Sequence, residues 1–136
     1  MYTVKEVSKQ LKLSEHTIRF YTDKNLIPML KRDKNNIRLF DEESINCLIA
    51  VKHLRDTGMS IEAIKEYINL CMKGDSTIKE RKIIIMKQRN IAEKQLQEAK
   101  KRLDYLNKKV ELYEKISEGI IDDTMNPRNW SNLNNN

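Results

Sequence analysis

The sequence predicts a mainly α-helical protein in which a winged helix-turn-helix head, with a two-stranded wing, is followed by one long C-terminal helix. Three observations predict this fold. Helix-start signals recur at short intervals early in the chain, two short extended pieces surround an Asn-rich turn, and the last long segment carries apolar residues at coiled-coil spacing. We expect a head at 1–73, a coiled-coil helix at 74–118 and a flexible, polar, Asn-rich tail at 119–136.

Each helix is predicted from a side-chain oxygen that can accept hydrogen bonds from the free amides of a first turn. At Thr3 and at Thr77 a glutamate follows three residues later, which is the spacing of a capping box. The predicted caps are Thr3, Ser14, Asp41, Ser60 and Thr77. The helices that they open are expected at 3–11, 14–24, 41–57, 60–73 and 77–118.

The first two helices and the segment after them predict a winged helix-turn-helix. The gap between those helices is about three residues, short enough for a helix-turn-helix corner. After Pro28, the extended segments 29–32 and 37–40 flank a turn at 33–36 that ends in two asparagines. Because asparagine tolerates the positive φ of tight turns, this segment is predicted to be a β-hairpin wing.

The last predicted helix has apolar residues in alternating steps of four and three, the rhythm of a coiled-coil seam. A helix of roughly 40 residues would extend for about 60 Å, and the small head cannot cover its apolar stripe. A partner helix is therefore expected, most simply from a second copy of the chain. Arg89 interrupts the seam, where a polar residue can fix the register. The predicted dimerisation residues are Ile85, Ala92, Leu96, Ala99, Leu103, Leu106, Val110 and Tyr113.

The net charge of +6 is concentrated in residues 1–40, which hold nine Lys and Arg against four Asp and Glu. Such a field attracts polyanions, most commonly nucleic acid. A lysine-rich genome would produce the same bias, so charge alone leaves both interpretations open. Two cysteines without paired spacing fit a reducing cytoplasm, and no segment approaches the ~20 apolar residues of a membrane span.

The second predicted helix turns an arginine and an aromatic ring to the same side. At 100° per residue, Ile18 and Tyr21 face the core, whereas Arg19 and Phe20 face away. An arginine can bind guanine or phosphate, and a flat ring can contact a thymine methyl or a sugar. The alternative is that Phe20 packs under the wing and Arg19 pairs with Asp23. The candidate DNA-binding residues are Ser14, His16, Thr17, Arg19, Phe20, Tyr21, Lys31, Arg32, Lys34 and Arg38.

Five segments resemble, in order and spacing, the MerR family of bacterial transcription regulators. They are YTVKEVS at 2–8, SEHTIRFY at 14–21, LIP at 26–28, IRLF at 37–40 and LRDTGMSI at 54–61. The resemblance implies a homodimer held by an antiparallel coiled coil, with two heads on a pseudo-palindromic double-stranded promoter. It also implies that the regulator bends and untwists an overlong promoter spacer for RNA polymerase.

This sequence departs from the family pattern at both predicted DNA-contacting elements. Asn36-Ile37-Arg38 stands where the wing usually has Gly-Tyr-Arg, and Phe20 replaces the first residue of a Tyr-Tyr pair. We expect these changes to alter affinity or the choice of operator rather than the fold.

The resemblance also bears on what the protein senses. Metal-sensing members place cysteines near the two ends of the dimer helix, but 77–79 and 119–123 contain none, so we expect no metal and no cofactor. The segment 66–78 resembles a short branch that senses aldehydes or nitrosative and oxidative stress through one cysteine, and His53 stands in the place of that cysteine. Cys47 lies in an apolar helix and is expected to be a buried, inert thiol. His53 is expected to be a surface or interface histidine, and Cys71, near a helix end, is more open to reaction but is expected to be structural. The candidate effector-sensing residues are Cys47, His53 and Cys71.

The alternatives to a transcription regulator are a DNA-bending or adaptor protein and an enzyme. A DNA-architectural, excisionase-like protein or a coiled-coil adaptor would bend or bridge DNA without controlling RNA polymerase. An enzyme is not expected, because the sequence shows no carboxylate pair, no nucleophile with a base and no phosphate loop.

Overall fold

The computed structural model describes residues 1–131, which form five α-helices and one two-stranded antiparallel sheet between the second and third helices in the chain. The chain forms two compact units, Met1–Arg89 and Asn90–Asn136. The predicted mainly helical fold with a two-stranded wing and a long C-terminal helix is confirmed. The elements are α1 Val4–Leu11, α2 Glu15–Asp23, β1 Lys31–Arg32, β2 Arg38–Leu39, α3 Glu42–Asp56, α4 Ile61–Lys73 and α5 Ile78–Ser117, with short 3-10 helices at Asp75–Thr77 and Pro127–Asn129.

The four predicted caps of the head helices are confirmed. The Thr3 hydroxyl accepts a hydrogen bond from the Glu6 amide at 3.2 Å, and the Glu6 carboxylate accepts one from the Thr3 amide at 3.3 Å. In the same way, Ser14, Asp41 and Ser60 accept bonds from the backbone amides three residues later, at 3.0, 2.8 and 3.1 Å. Each cap satisfies one of the amides that the first helical turn leaves without a partner.

The cap of α4 gives a direct test of this local chemistry. We expect Ser60→Ala to lower the free energy of unfolding by about 1 kcal/mol, because the Ala63 amide loses its acceptor. Ser60→Asn keeps a side-chain oxygen and is the matched control. Urea denaturation measures both variants, and equal losses in the two would contradict the capping role.

The predicted capping box at Thr77 is wrong, because the Thr77 hydroxyl serves the preceding helix instead. Thr77 is buried, and its hydroxyl oxygen lies 2.6 Å from the carbonyl oxygen of Leu70 and 2.8 Å from that of Gly74. It also accepts a hydrogen bond from Nε of Arg81 at 3.1 Å. The last carbonyls of a helix lack intrahelical partners, so this buried hydroxyl fastens the end of α4 to the start of α5.

The wing is a short hairpin in which Lys31 pairs with Leu39 and Arg32 with Arg38. The turn is held by Asp33, whose carboxylate accepts bonds from the amides of Asn35 at 2.8 Å and Ile37 at 3.0 Å. Asn36 has a φ of +64°, the left-handed conformation for which asparagine was predicted.

An isolated antiparallel bridge between Tyr2 and Phe40 attaches the base of the wing to the N-terminus. Two backbone hydrogen bonds of 2.8 Å join these residues, which are far apart in sequence. No local pattern predicted this bridge.

The core of the first unit collects side chains from all four head helices and the end of the wing. Ile18 of α2 is fully buried in it, so the opposite face of α2 is left to solvent. The largest fully buried apolar side chains are Phe40, Ile18, Leu26, Leu48, Ile64, Val7 and Val51.

After α5, part of the predicted flexible tail forms a turn. Asp123 accepts hydrogen bonds from the amides of Met125 and Asn126, both at 3.1 Å, and the Trp130 indole donates to the Thr124 carbonyl at 3.2 Å. The end of the predicted tail, 132–136, lies outside the described residues. Across 1–131, no helix combines the length and the apolar character that a membrane span requires.

Candidate nucleic-acid interface

The outward face of α2 presents Arg19 and Phe20 to solvent, with 49% of the Arg19 side chain and 40% of Phe20 exposed. His16 is also exposed, one turn earlier. Tyr21 differs from these residues, since it is 7% exposed and belongs to the core. Tyr21 is therefore the one candidate residue of α2 that does not lie on the outward surface.

Arg19 pairs with Glu15 at 3.2 Å, so the alternative pairing with Asp23 is wrong. Both side chains of this pair are more than two-fifths exposed, and exposed ion pairs of this kind are weak. A guanine or a phosphate can therefore compete for the guanidinium. Phe20 keeps its ring at the surface with the Lys24 ammonium 5.6 Å from the ring centroid.

Ser14 and Thr17 lie at the start of α2. The Ser14 hydroxyl caps the helix and donates to the Thr17 hydroxyl at 2.8 Å. Two small hydroxyls beside free helical amides form a polar end that suits a phosphate oxygen.

Arg38 occupies a different position from the exposed one that its basic character suggested. Its side chain is only 21% exposed. Its Nε donates to the Thr22 hydroxyl at 2.9 Å, and its Nη2 donates to the Asp23 carboxylate at 2.7 Å. Sequence reasoning missed these bonds because 15 and 16 positions separate the partners, and no local pattern reports such a pair.

The other basic residues of the wing are exposed. Lys31 forms an ion pair with Asp41 at 3.2 Å, and Arg32 donates to the Asn36 carbonyl at 3.1 Å. Lys34 lies exposed in the turn. These side chains lie along one hairpin, where cations can reach a DNA backbone.

Asp41 joins the wing to α3. The amide and hydroxyl of Ser44, followed by Lys31, lower the pKa of Asp41 from 3.8 to about 2. Since the folded pKa is depressed, the stability contributed by this carboxylate is present above pH 3.8 and is lost as the pH falls through about 2.

An open cleft of about 350 Å³ lies among α1, α2 and the wing. Lys5 and Arg19 line it together with Arg38. Sequence reasoning missed Lys5, although its place in the first turn after the Thr3 cap was a usable signal. The cleft adds a basic concave surface next to the outward face of α2.

The candidate effector-sensing residues fall into two places. Cys47 and Cys71 both line a cleft of about 370 Å³ between α3 and α4, together with Tyr67 and Met72. His53 is exposed on α3. Among residues 1–131, no group of three or more His, Cys, Asp or Glu side chains is placed to hold a metal ion.

The two thiols differ in their surroundings. Cys47 is 8% exposed and donates to the Leu26 carbonyl at 3.3 Å. Burial, and then the nearby Cys71, raise the pKa of Cys47 from 9.0 to about 11. Cys71 is half-buried, with Nη1 of Arg81 4.0 Å from its sulfur, and burial followed by this thiol raises the pKa of Tyr67.

We expect iodoacetamide at neutral pH to alkylate Cys71 well before Cys47, because Cys47 is buried and holds its proton until the pH approaches about 11. Mass spectrometry of the intact protein measures the reaction. Cys47→Ala should react at the wild-type rate, whereas Cys71→Ala should react slowly. The reverse order would contradict this assignment.

The winged helix-turn-helix head, with Arg19 and Phe20 exposed on its second helix and exposed cations on its wing, defines a DNA-binding protein of the class that places a recognition helix against duplex DNA. Residues 2–71 match the family described as MerR HTH family regulatory protein. The HTH-type transcriptional regulator AdhR of Bacillus subtilis is 41% identical over 86 residues, which are 63% of this chain and 61% of AdhR.

Two solved structures resemble most of this chain. The crystal structure of HiNmlR, a MerR family regulator lacking the sensor domain, bound to promoter DNA, has a TM-score of 0.73 and 32% identity, covering 86% of this chain and 93% of HiNmlR. A MerR family transcriptional regulator from Bacillus thuringiensis has a TM-score of 0.71 and 34% identity, covering 82% and 98% of the two chains. The chain belongs to the MerR family of transcriptional regulators, as the resemblance implied. The architectural and adaptor alternatives are not favoured.

Proposed function

We propose that the protein acts in the cytoplasm as a homodimer that binds a pseudo-palindromic promoter and changes its geometry. The single observation that carries the proposal is that Arg19 and Phe20 are both exposed on the same face of α2, beside a basic wing. HiNmlR, a relative of similar fold, is bound to promoter DNA in its crystal structure, which supports the same partner for this chain.

Within this proposal, residues 1–73 bind DNA, residues 74–118 dimerise and residues 119–136 form a tail. Arg19, with His16 and Phe20, reads base edges in the major groove. The hydroxyls at the start of α2 and the exposed cations of the wing contact phosphates and fix the register. The proposed backbone contacts are Ser14, Thr17, Lys31, Arg32 and Lys34.

The proposed dimer rests on the apolar seam of α5. Along this 40-residue helix no residue is buried in the single chain, and large seam residues such as Leu103 are 57% exposed. An exposed apolar stripe of this extent is characteristic of a partner surface. A second copy, running antiparallel, would cover the stripe and hold the two heads at a fixed separation.

Promoter distortion is the proposed means of control. Bending and untwisting a duplex costs free energy that depends on its sequence, and the extra contacts made by two linked heads can offset that cost. RNA polymerase would then meet its two promoter elements in a usable alignment. This step distinguishes a regulator from a protein that only bends DNA.

The proposal assigns the accessible thiol of the α3–α4 cleft, Cys71, to effector sensing rather than Cys47 or His53. Cys71 is half-buried and lies beside Arg81, which is bonded to Thr77 at the joint between α4 and α5. Modification of the Cys71 thiol would therefore disturb the contacts of Arg81 and Thr77 between α4 and α5.

Two measurements test the proposed function. Fluorescence anisotropy with DNA from upstream of the gene should show specific binding that falls steeply as salt rises, because phosphate contacts release counterions. In vitro transcription should then change on a promoter with an overlong spacer and remain unchanged on a matched promoter with a standard spacer. Specific binding without any effect on transcription would favour an architectural role instead.

A further inference from the structure

We propose that Arg38 is a positioning residue that locks the wing onto α2, so that the wing and the base-reading helix meet DNA as one rigid surface. This inference rests on the proposed DNA-binding function and assigns Arg38 a role other than direct phosphate contact. It follows from the bonds of its guanidinium, from a buried hydroxyl on α2 and from the small size of the wing.

The guanidinium of Arg38 is committed to two consecutive residues of α2. Nε donates to the Thr22 hydroxyl at 2.9 Å and Nη2 donates to the Asp23 carboxylate at 2.7 Å. Because these two donors lie in one rigid plane, the two bonds fix the orientation of the guanidinium as well as its distance from α2. The Arg38 side chain is 21% exposed and the Asp23 side chain is 62% exposed. The Asp23 bond is therefore open to solvent, and the bond to the buried Thr22 hydroxyl is the less screened of the two.

Thr22 carries the connection to the base-reading residue. It is 7% exposed, and its hydroxyl donates to the Arg19 carbonyl at 2.8 Å. A hydroxyl has a single hydrogen, so while it donates to Arg19 it can only accept from Arg38. Two consecutive hydrogen bonds therefore join the wing to the backbone at Arg19.

The wing needs such a connection because it is small. Each of its strands has two residues, and an isolated two-stranded hairpin is at best marginally stable. The bridge of Phe40 to Tyr2 and the ion pair of Lys31 with Asp41 hold the base of the hairpin. Arg38 adds the link to α2, which sets where the cations of the wing lie relative to the recognition face.

Fixing the wing before DNA binds should raise the affinity for DNA. A wing already fixed against α2 does not have to be ordered when DNA binds, and ordering costs reduce affinity. Only two of the five N–H donors of Arg38 are used in its bonds to Thr22 and Asp23. A direct phosphate contact therefore makes a different prediction, because it needs the positive charge at position 38 itself, whether or not Thr22 and Asp23 hold it. The two roles can be separated by one variant that leaves the positive charge of Arg38 in place and by another that moves this charge to position 23.

Thr22→Val is the first test, since it removes the hydroxyl without changing charge or size appreciably. We expect affinity for the specific operator to fall about tenfold, the effect of losing a hydrogen bond to a charged group. The dependence on salt should keep the wild-type slope, because no phosphate contact is removed. Unchanged affinity in a folded Thr22→Val variant would overturn the proposal.

The second test exchanges the two residues of the ion pair, and it can be read even if the Thr22→Val variant does not fold. Arg38→Asp alone should bind the operator weakly, and adding Asp23→Arg should restore binding by re-forming the pair in reverse. If the double variant stays as weak as Arg38→Asp, Arg38 contacts DNA directly and the proposal fails. Thermal unfolding of each variant reports its folded state.

Operator binding by the wild-type protein shows whether a negative result concerns the role of Arg38 or the proposed DNA-binding function. Absence of specific binding by the wild type would contradict the DNA-binding function itself. Specific binding by the wild type, together with wild-type affinity in Thr22→Val or no recovery in the exchange, would contradict only the positioning role of Arg38.

Discussion

Arg19→Ala is expected to weaken binding to the specific operator by about 1–3 kcal/mol and to leave binding to unrelated DNA almost unchanged. The reason is the position of the side chain, which lies on the exposed face of α2 and is held only by a weak, exposed pair with Glu15. An arginine so placed can turn toward the two acceptors of a guanine without leaving a buried partner. Fluorescence anisotropy on specific and unrelated duplexes measures both affinities.

Two control variants make this result specific. Lys65→Ala removes the same charge from the exposed surface of α4 and should leave both affinities close to wild type. Lys34→Ala should weaken binding to all sequences alike and reduce the salt slope by about one, as expected for a phosphate contact. If Arg19→Ala behaved like Lys34→Ala, Arg19 would contact the backbone and our base-reading assignment would be wrong.

Leu103→Glu is expected to dissociate the proposed homodimer and abolish high-affinity operator binding. Leu103 is 57% exposed in the single chain and lies in the seam of α5, where a partner helix would bury it. A dimer would then enclose two carboxylates, each with a desolvation cost of several kcal/mol. We expect the dimer dissociation constant to rise at least about a hundredfold, since each 1.4 kcal/mol is a factor of ten.

Sedimentation equilibrium measures this change, and Gln97→Glu is the matched control. Gln97 lies on the same helix but outside the seam, so it adds the same charge without entering the proposed interface. Leu103→Glu that remained dimeric at the concentrations where the wild type is dimeric would show that the seam is not the dimer contact.

The parts of the fold that were predictable depend on neighbouring residues. A cap such as Thr3 or Ser14 requires only an amide three residues away, so the sequence pattern and the geometry coincide. Asn36 was predictable for the same reason, because its φ of +64° is a property of one residue. It stands where the family usually has glycine, and asparagine is among the few residues that tolerate this conformation.

The errors and omissions involve contacts between distant residues or a choice between partners. The Thr77 hydroxyl could cap α5, which follows it, or bond to the end of α4, which precedes it. In the structure it is buried and bonds to the Leu70 carbonyl of α4. The sequence predicted Arg38 as an exposed basic residue of the wing, but in the folded protein it is bonded to Asp23. Spacing along the chain could not have indicated that pair, because it depends on how the wing folds back.

The candidate site shows the same division. The outward turn of Arg19 and Phe20 follows from helical periodicity alone, and the structure has both side chains exposed. The common cleft of Cys47 and Cys71 depends on the packing of α3 against α4, which no local pattern reports. Tyr21 lies in the core, as periodicity indicated, although it was also among the candidate DNA-binding residues.

The mass of the complex between the protein and a single operator duplex tests the proposed binding of a dimer to promoter DNA most directly. Analytical ultracentrifugation of a labelled duplex with excess protein should give two protomers for each inverted repeat. A saturated complex containing one protomer, on a duplex that carries both half-sites, would contradict it.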